Sequence, residues 1–135
     1  MILEFTVSGS PVSHQSHNKQ NLRAWRDTVR SAATEAWGSR DPLDVGLSIS
    51  VSYYHRGASV RIDTDNLVKP IQDALIGLVY RDDRLIVRTT VLKKSIDGFY
   101  QIRGRSLVEL TAFARGDEFI YVIIGLEPST EDPVV

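Results

Sequence analysis

Five aspartates crowd into residues 61–86, RIDTDNLVKPIQDALIGLVYRDDRLI, and their mutual repulsion raises the question of which cation they share. Asp63 and Asp65 are two residues apart, a spacing that places both side chains on one face of an extended backbone. Hard divalent cations bind carboxylate oxygens, and Mg²⁺ usually combines one or two carboxylates with water and substrate phosphate. We therefore expect Asp63 and Asp65 to face a common divalent cation.

A second acidic pair and a lysine could complete this site. Asp82 and Asp83 directly precede a predicted strand, and adjacent residues in an extended backbone point in opposite directions, so one of the two could be the third ligand. Lys69 follows Asp65 by four residues, on the same face of a helix. Its ammonium could hold a phosphate oxygen, although an exposed ion pair of negligible weight is the alternative. Asp73 is expected to be structural, bonding to Lys69 or to a nearby backbone donor, with a metal contact as the alternative.

The elements that must position these residues follow from hydrophobic periodicity. Strands are predicted at residues 2–7, 45–55, 84–94 and 118–127, with a further strand at 99–103 that pairs with 84–94. Helices are predicted from about residue 21 to Trp37 and over residues 106–114. A third helix contains Pro70, which is tolerated only near a helix start, so we expect Asp65 or Asn66 to be its N-cap.

The mixture of strands and helices without strict alternation predicts an α+β fold. We expect a single domain over residues 1–127 and a loose tail over 128–135. Its mixed β-sheet should carry two main helices packed on it, with a short extra helix before the last strand.

Composition restricts the chemistry and the partners. The chain has no cysteine, which excludes disulfides and thiolate metal ligands. Its net charge is −1, which is low for a protein that binds nucleic acid. Residues 81–105, however, contain seven basic and three acidic residues. The candidate phosphate contacts there are Arg84, Arg88, Lys93 and Lys94, with an ordinary solvated surface as the alternative.

No apolar run is long enough for a membrane span, and the first residues lack the pattern of a signal peptide, so we expect no membrane contact. The absence of cysteine suits a cytoplasmic protein.

The segment from 61 to 86 resembles the signature region of the RusA-like Holliday junction resolvases. The likeness lies in D-x-DN, a lysine four residues after the second aspartate, DAL, and the paired DD. It implies that Asp63, Asp65 and Asp83 bind Mg²⁺, with Mn²⁺ as the alternative, and that Lys69 is the catalytic lysine.

This resemblance implies a metal-dependent endodeoxyribonuclease that resolves four-way branched DNA in recombination and repair, and that acts as a homodimer. Two other functions stay open. One is a non-catalytic dimer that binds DNA junctions, and the other is a metal-dependent phosphoesterase acting on small molecules.

Overall fold

The computed structural model describes residues 1–57, 61–98 and 103–127, which form seven principal elements. In chain order they are β1 (Leu3–Ser8), α1 (Lys19–Trp37), β2 (Leu47–His55), α2 (Thr64–Leu75), β3 (Ile86–Ser95), α3 (Leu107–Arg115) and β4 (Phe119–Leu126). One turn of 3-10 helix, Asp83–Leu85, leads into β3.

The four strands form one mixed sheet in the order β1-β4-β2-β3. β4 pairs antiparallel with β1 on one side and with β2 on the other. β2 and β3 are parallel, which requires a crossover connection, and α2 lies within that crossover. The predicted α+β class and mixed sheet are therefore confirmed, and β2-α2-β3 is the unit that carries the acidic segment.

One face of the sheet is buried under α1 and α2. Alternate residues of β2 point into this core, namely Leu47, Ile49, Val51 and Tyr53. The buried residues of α1 recur every three or four positions, as the sequence predicts: Leu22, Trp25, Val29, Ala33 and Trp37. Gly38 ends α1 with a positive φ of 75°, a conformation that glycine adopts without a steric cost.

The opposite face of the sheet carries a smaller core under α3. Tyr54, Phe119 and Tyr121 alternate with residues of the main core and pack with Ala112 of α3. The Tyr54 hydroxyl donates a 2.6 Å hydrogen bond to the buried Glu109 carboxylate. The short extra helix before the last strand thus covers the side of the sheet that α1 and α2 leave open.

Several predicted boundaries need correction. α2 begins at Thr64 with Asp63 as its N-cap, so the predicted N-cap at Asp65 or Asn66 was late by two or three residues. The predicted strand 84–94 begins only at Ile86, after the 3-10 turn. Residues 99–102 of the predicted strand 99–103, and the predicted tail 128–135, lie outside the described residues. In the part of the chain that the structure describes, no helix has both the length and the apolar character needed to cross a membrane.

Candidate functional site

Asp63 and Asp65 lie at the N-terminus of α2. Asp63 is the N-cap residue, with φ −67° and ψ 147°, but its side chain makes no capping hydrogen bond. Asp65 belongs to the first turn, where the helix dipole favours a negative charge. Both residues are exposed, and neither carboxylate has a hydrogen bond or an ion pair within the described ranges 1–57, 61–98 and 103–127. These carboxylates are therefore open to a ligand from solvent.

The reason given for pairing Asp63 with Asp65 was wrong. The two-residue spacing places side chains on one face only in extended backbone, whereas Asp65 is already helical. Their approach to a common cation therefore stays a prediction that rests on the family resemblance, without the support of backbone geometry.

Lys69 is held between two carboxylates. Its Nζ lies 2.9 Å from Asp73 Oδ1, one helical turn further along α2, and 3.0 Å from Asp83 Oδ2. The side chains are partly exposed, at 40% for Lys69, 24% for Asp73 and 36% for Asp83. The hydrogen bonds to Asp73 and Asp83 raise the pKa of Lys69 above its ordinary value, although burial acts in the opposite direction. The ammonium is therefore firmly protonated at neutral pH.

The 3-10 turn separates the roles of the two adjacent aspartates. The Asp82 carboxylate accepts hydrogen bonds from the backbone N–H of Arg84 at 2.9 Å and from its Nε at 3.2 Å. These contacts, the backbone bond first, hold the pKa of Asp82 below its ordinary value. Asp82 thus caps the turn, while Asp83 points to Lys69.

The carboxylates predicted to share one metal ion do not surround a common point in this arrangement. Among residues 1–57, 61–98 and 103–127, no three His, Cys, Asp or Glu side chains are grouped so that they could hold a metal ion. The cation that Asp83 holds is the ammonium of Lys69.

The chemistry of the donors nevertheless suits Mg²⁺. All three predicted ligands offer hard carboxylate oxygens, the ligand type that Mg²⁺ prefers, and the chain contains no thiolate that would favour a softer metal. The pairing of Asp83 with an ammonium shows that this carboxylate already faces a positive centre. The donor types therefore fit a hard divalent cation, and grouping the three ligands requires Asp83 to turn toward Asp63 and Asp65.

The loop between β1 and α1 is attached to the site helix. Pro70 is the seventh residue of α2 and has no backbone N–H, so the carbonyl of Asn66 lacks its usual helical partner. The backbone N–H of His14 donates to that carbonyl at 2.9 Å instead. This hydrogen bond holds the polar loop beside the first turns of α2. The bonded carbonyl belongs to the residue that directly follows Asp65.

Glu118 fastens three segments at the end of the sheet from which the chain continues to α2. Its carboxylate accepts hydrogen bonds from the Ser10 hydroxyl at 2.6 Å, the Tyr53 hydroxyl at 2.7 Å and the backbone N–H of Arg56 at 2.6 Å. Burial raises the pKa of Glu118, but these hydrogen bonds outweigh it and hold the pKa below its ordinary value. Sequence reasoning missed Glu118, since its partners are distant along the chain.

The four predicted DNA contacts do not form one surface. Arg84 pairs with Asp82, and Arg88 lies 3.3 Å from Glu127. Lys93 and Lys94 are adjacent in β3 and therefore point to opposite faces of the sheet. Lys93 Nζ donates to the carbonyl of Ile62 at 3.0 Å, next to Asp63. Lys94 Nζ lies 5.4 Å from the ring centroid of Tyr54, on the side of α3.

Comparison with models of known protein families identifies the family of this chain. The model described as endodeoxyribonuclease RusA matches residues 8–109, which include the whole acidic segment. The chain belongs to the RusA endodeoxyribonuclease family. This agrees with the resemblance inferred from residues 61–86 and with the predicted class of enzyme, a nuclease. A search of the curated proteins found no match.

The RusA match and the contacts around Lys69 concern the same part of the fold. The matched range begins at the end of β1 and ends within α3, so it contains the β2-α2-β3 unit. β4 and Glu118 lie beyond it. The acidic segment therefore lies within the range that matches the family, while β4, one of the two inner strands of the sheet, and Glu118 lie outside it.

Proposed function

We propose that this protein is a divalent-cation-dependent endonuclease that cuts four-way DNA junctions. The observation that carries the proposal is the RusA family match over residues 8–109, which spans Asp63, Asp65, Lys69 and Asp83. Cleavage of junctions in recombination and repair follows from the family resemblance. A cytoplasmic location is part of the same proposal.

The proposed metal ligands are Asp63, Asp65 and Asp83, with Mg²⁺ or Mn²⁺ as the cation. When bound, such an ion polarises the scissile phosphate and lowers the pKa of a water molecule. To join Asp63 and Asp65 at one cation, the Asp83 carboxylate, whose Oδ2 lies 3.0 Å from Lys69 Nζ, would have to turn toward the N-terminus of α2. Asp63 and Asp65 have no contacts to break among the described residues, so they can turn to the cation without a loss of protein hydrogen bonds.

Lys69 would contact the scissile phosphate once Asp83 has turned toward the cation. Its ammonium is protonated, partly exposed and one helical turn from Asp65. A fixed positive charge there stabilises the negative charge that develops on phosphate oxygens during cleavage. In this proposal a contact between Lys69 and the substrate phosphate replaces the contact between Lys69 and Asp83.

A four-way junction requires two symmetric cuts, so we propose that the protein acts as a homodimer. A two-fold axis places two identical sites at related positions on the junction. Sedimentation equilibrium of the purified protein tests this part separately, with a stable monomer as the contradicting result.

The decisive experiment incubates the protein with a synthetic four-way junction and with a linear duplex of matched sequence, each with and without Mg²⁺. Cutting of the junction alone, and only with Mg²⁺, supports the proposal. Junction-selective binding without cutting would instead indicate a non-catalytic junction-binding protein. Hydrolysis of small phosphate esters without a preference for DNA shape would indicate a phosphoesterase.

The matched variants are Asp83→Asn, which removes a proposed ligand, and Glu35→Gln, which removes one negative charge from the exposed surface of α1. Loss of cutting in the first variant and full activity in the second would tie the cleavage to the acidic segment.

A further inference from the structure

The Lys69 ammonium has two carboxylate partners, and they are placed by different parts of the chain. Asp73 belongs to the same helix as Lys69, at a spacing of four residues and a distance of 2.9 Å. Asp83 reaches Lys69 from the 3-10 turn that leads into β3. The geometry between Asp73 and Lys69 is therefore set by α2 alone, whereas the contact with Asp83 depends on how two segments meet.

The part of α2 that carries Asp73 is well anchored. Pro70, which precedes Asp73 in the helix, and Ala74, which follows it, are both buried. The hydroxyl of the buried Tyr80 donates a 2.6 Å hydrogen bond to the carbonyl of Gln72. Asp73 itself is the least exposed of the three side chains in the cluster, at 24%. The Asp73 carboxylate is thus a fixed anchor for the ammonium.

We propose that Asp73 is a positioning residue that keeps Lys69 at the site when Asp83 turns to a divalent cation. This inference rests on the proposed function. Once Asp65 and Asp83 both face a divalent cation, Asp73 is the carboxylate left to pair with the lysine, and without it repulsion between the two positive centres would drive the ammonium into solvent. With Asp73 in place, the ammonium keeps a partner at 2.9 Å and stays within reach of a phosphate.

Helix geometry argues that Asp73 acts through Lys69 and does not share a cation with Asp65. The two acids are eight residues apart in α2, which corresponds to about 12 Å along the helix axis. Two carboxylate oxygens that bind one Mg²⁺ lie at most about 4 Å apart. Lys69 occupies the position midway between them on the same face.

The test is a double-mutant cycle with Asp73→Asn, Lys69→Met and the combined variant, and with Glu35→Gln as the control for loss of one surface charge. Two quantities are measured for each protein: the binding isotherm of Mn²⁺, followed as free Mn²⁺ by electron paramagnetic resonance, and the kcat and KM for cleavage of a four-way junction. Circular dichroism and the Tm establish that each variant is folded.

We expect Asp73→Asn to lower kcat about tenfold or more, because a misplaced catalytic group can cost that much, while KM changes little. Mn²⁺ binding should weaken a few-fold, since the ammonium then has only Asp83 to neutralise it. In the Lys69→Met background, Asp73→Asn should change either quantity by no more than about twofold, because its effect passes through the lysine. Asp73→Glu should retain more activity than Asp73→Asn, since it keeps a carboxylate on the same face.

Two results would overturn the inference while leaving the proposed function intact. Equal weakening of Mn²⁺ binding by Asp73→Asn in both backgrounds would make Asp73 a ligand, and an unchanged kcat would leave it without a role. If Asp73→Asn does not fold, Asp73→Ser replaces it in the cycle with the same expected outcomes. A wild-type protein that neither binds Mn²⁺ nor cuts junctions would overturn the proposed function and this inference together.

Discussion

Replacing Asp83 with asparagine should separate the fold from the activity. The substitution removes one ion pair, at 3.0 Å, between side chains that are 40% and 36% exposed. Pairs exposed to this extent contribute at most about 1 kcal/mol to the free energy of unfolding. Lys69 also keeps Asp73 as a partner. For a chain of this size we therefore expect the Tm to fall by no more than about 4 °C.

The effect of Asp83→Asn on cleavage should be far larger. Metal ions contribute several kcal/mol to transition-state stabilisation, so loss of a ligand corresponds to a rate at least about 100-fold lower. Binding to the junction should persist, because removal of a carboxylate reduces repulsion toward phosphate. The assay is single-turnover cleavage of a fluorescent four-way junction, with gel shifts in the absence of divalent cations as the measure of binding.

Asp82→Asn is the matched control for this prediction. It removes a carboxylate from the adjacent position, but that carboxylate contacts Arg84 and caps the 3-10 turn. We expect this variant to retain most of its cleavage rate. Equal loss of activity in the two variants, or a fall in Tm after Asp83→Asn that is large enough to explain the lost activity, would refute the assignment of Asp83.

Three further predictions test the surroundings of the site. Arg30→Ala should lower the free energy of unfolding in urea by about 1–2 kcal/mol, because Arg30 donates two 2.9 Å hydrogen bonds to carbonyls at the end of α2. The exposed Arg23 provides the control, and an equal effect of Arg23→Ala would contradict the prediction. The lowered folded-state pKa of Glu118 means that its ionised form stabilises the fold above the unfolded pKa of about 4.3, and that this contribution is lost as pH falls through the folded-state pKa. Glu118→Gln should therefore flatten the acid side of a Tm-against-pH curve, and an unchanged curve would count against the role of its hydrogen bonds. Lys93→Ala should reduce the slope of log affinity against log salt by about 0.9 if Lys93 contacts one phosphate, whereas Lys94→Ala should not, because the two side chains lie on opposite faces of β3. Equal slopes for the two variants would contradict the prediction that Lys93 contacts a phosphate near the site.

The overall fold could be predicted because its signals are local. The apolar residues of α1 recur at helical spacing, and alternate residues of β2 are buried, so period alone identifies both elements. The start of α2 could not be predicted in this way because Asp63, Asp65 and Asn66 are all residue types that favour an N-cap. Propensity could not choose among them, and an error of two residues was enough to invalidate the argument that Asp63 and Asp65 share a face.

The predicted basic segment is divided between two faces of the sheet for a reason that the sequence already contains. Counting charges over residues 81–105 treats them as one patch, but a strand distributes adjacent residues between two faces. Lys93 is therefore beside Ile62, and Lys94 is beside Tyr54. The strand prediction itself would have divided the patch.

Contacts between distant parts of the chain could not be predicted in the same way. Glu118 is 108 residues from Ser10 and 65 from Tyr53, and no local pattern indicates that these groups meet. The contact between Lys69 and Asp83 spans only 14 residues, but it depends on the 3-10 turn that directs Asp83 toward α2. The spacing of Asp73 from Lys69, by contrast, made their ion pair one of the two structural contacts expected for Asp73, and the structure contains it.

Pro70 shows how far accounting for backbone hydrogen bonds can extend a prediction. A proline in the seventh position of a helix leaves a carbonyl without its donor, and a buried or partly buried carbonyl must find another. The Asn66 carbonyl therefore needs another donor, which can be a protein group or water. The donor is the backbone of His14, in the polar loop after β1. Because the proline immediately follows Lys69, the carbonyl that it leaves without a helical donor lies beside the candidate site, and the loop is attached there.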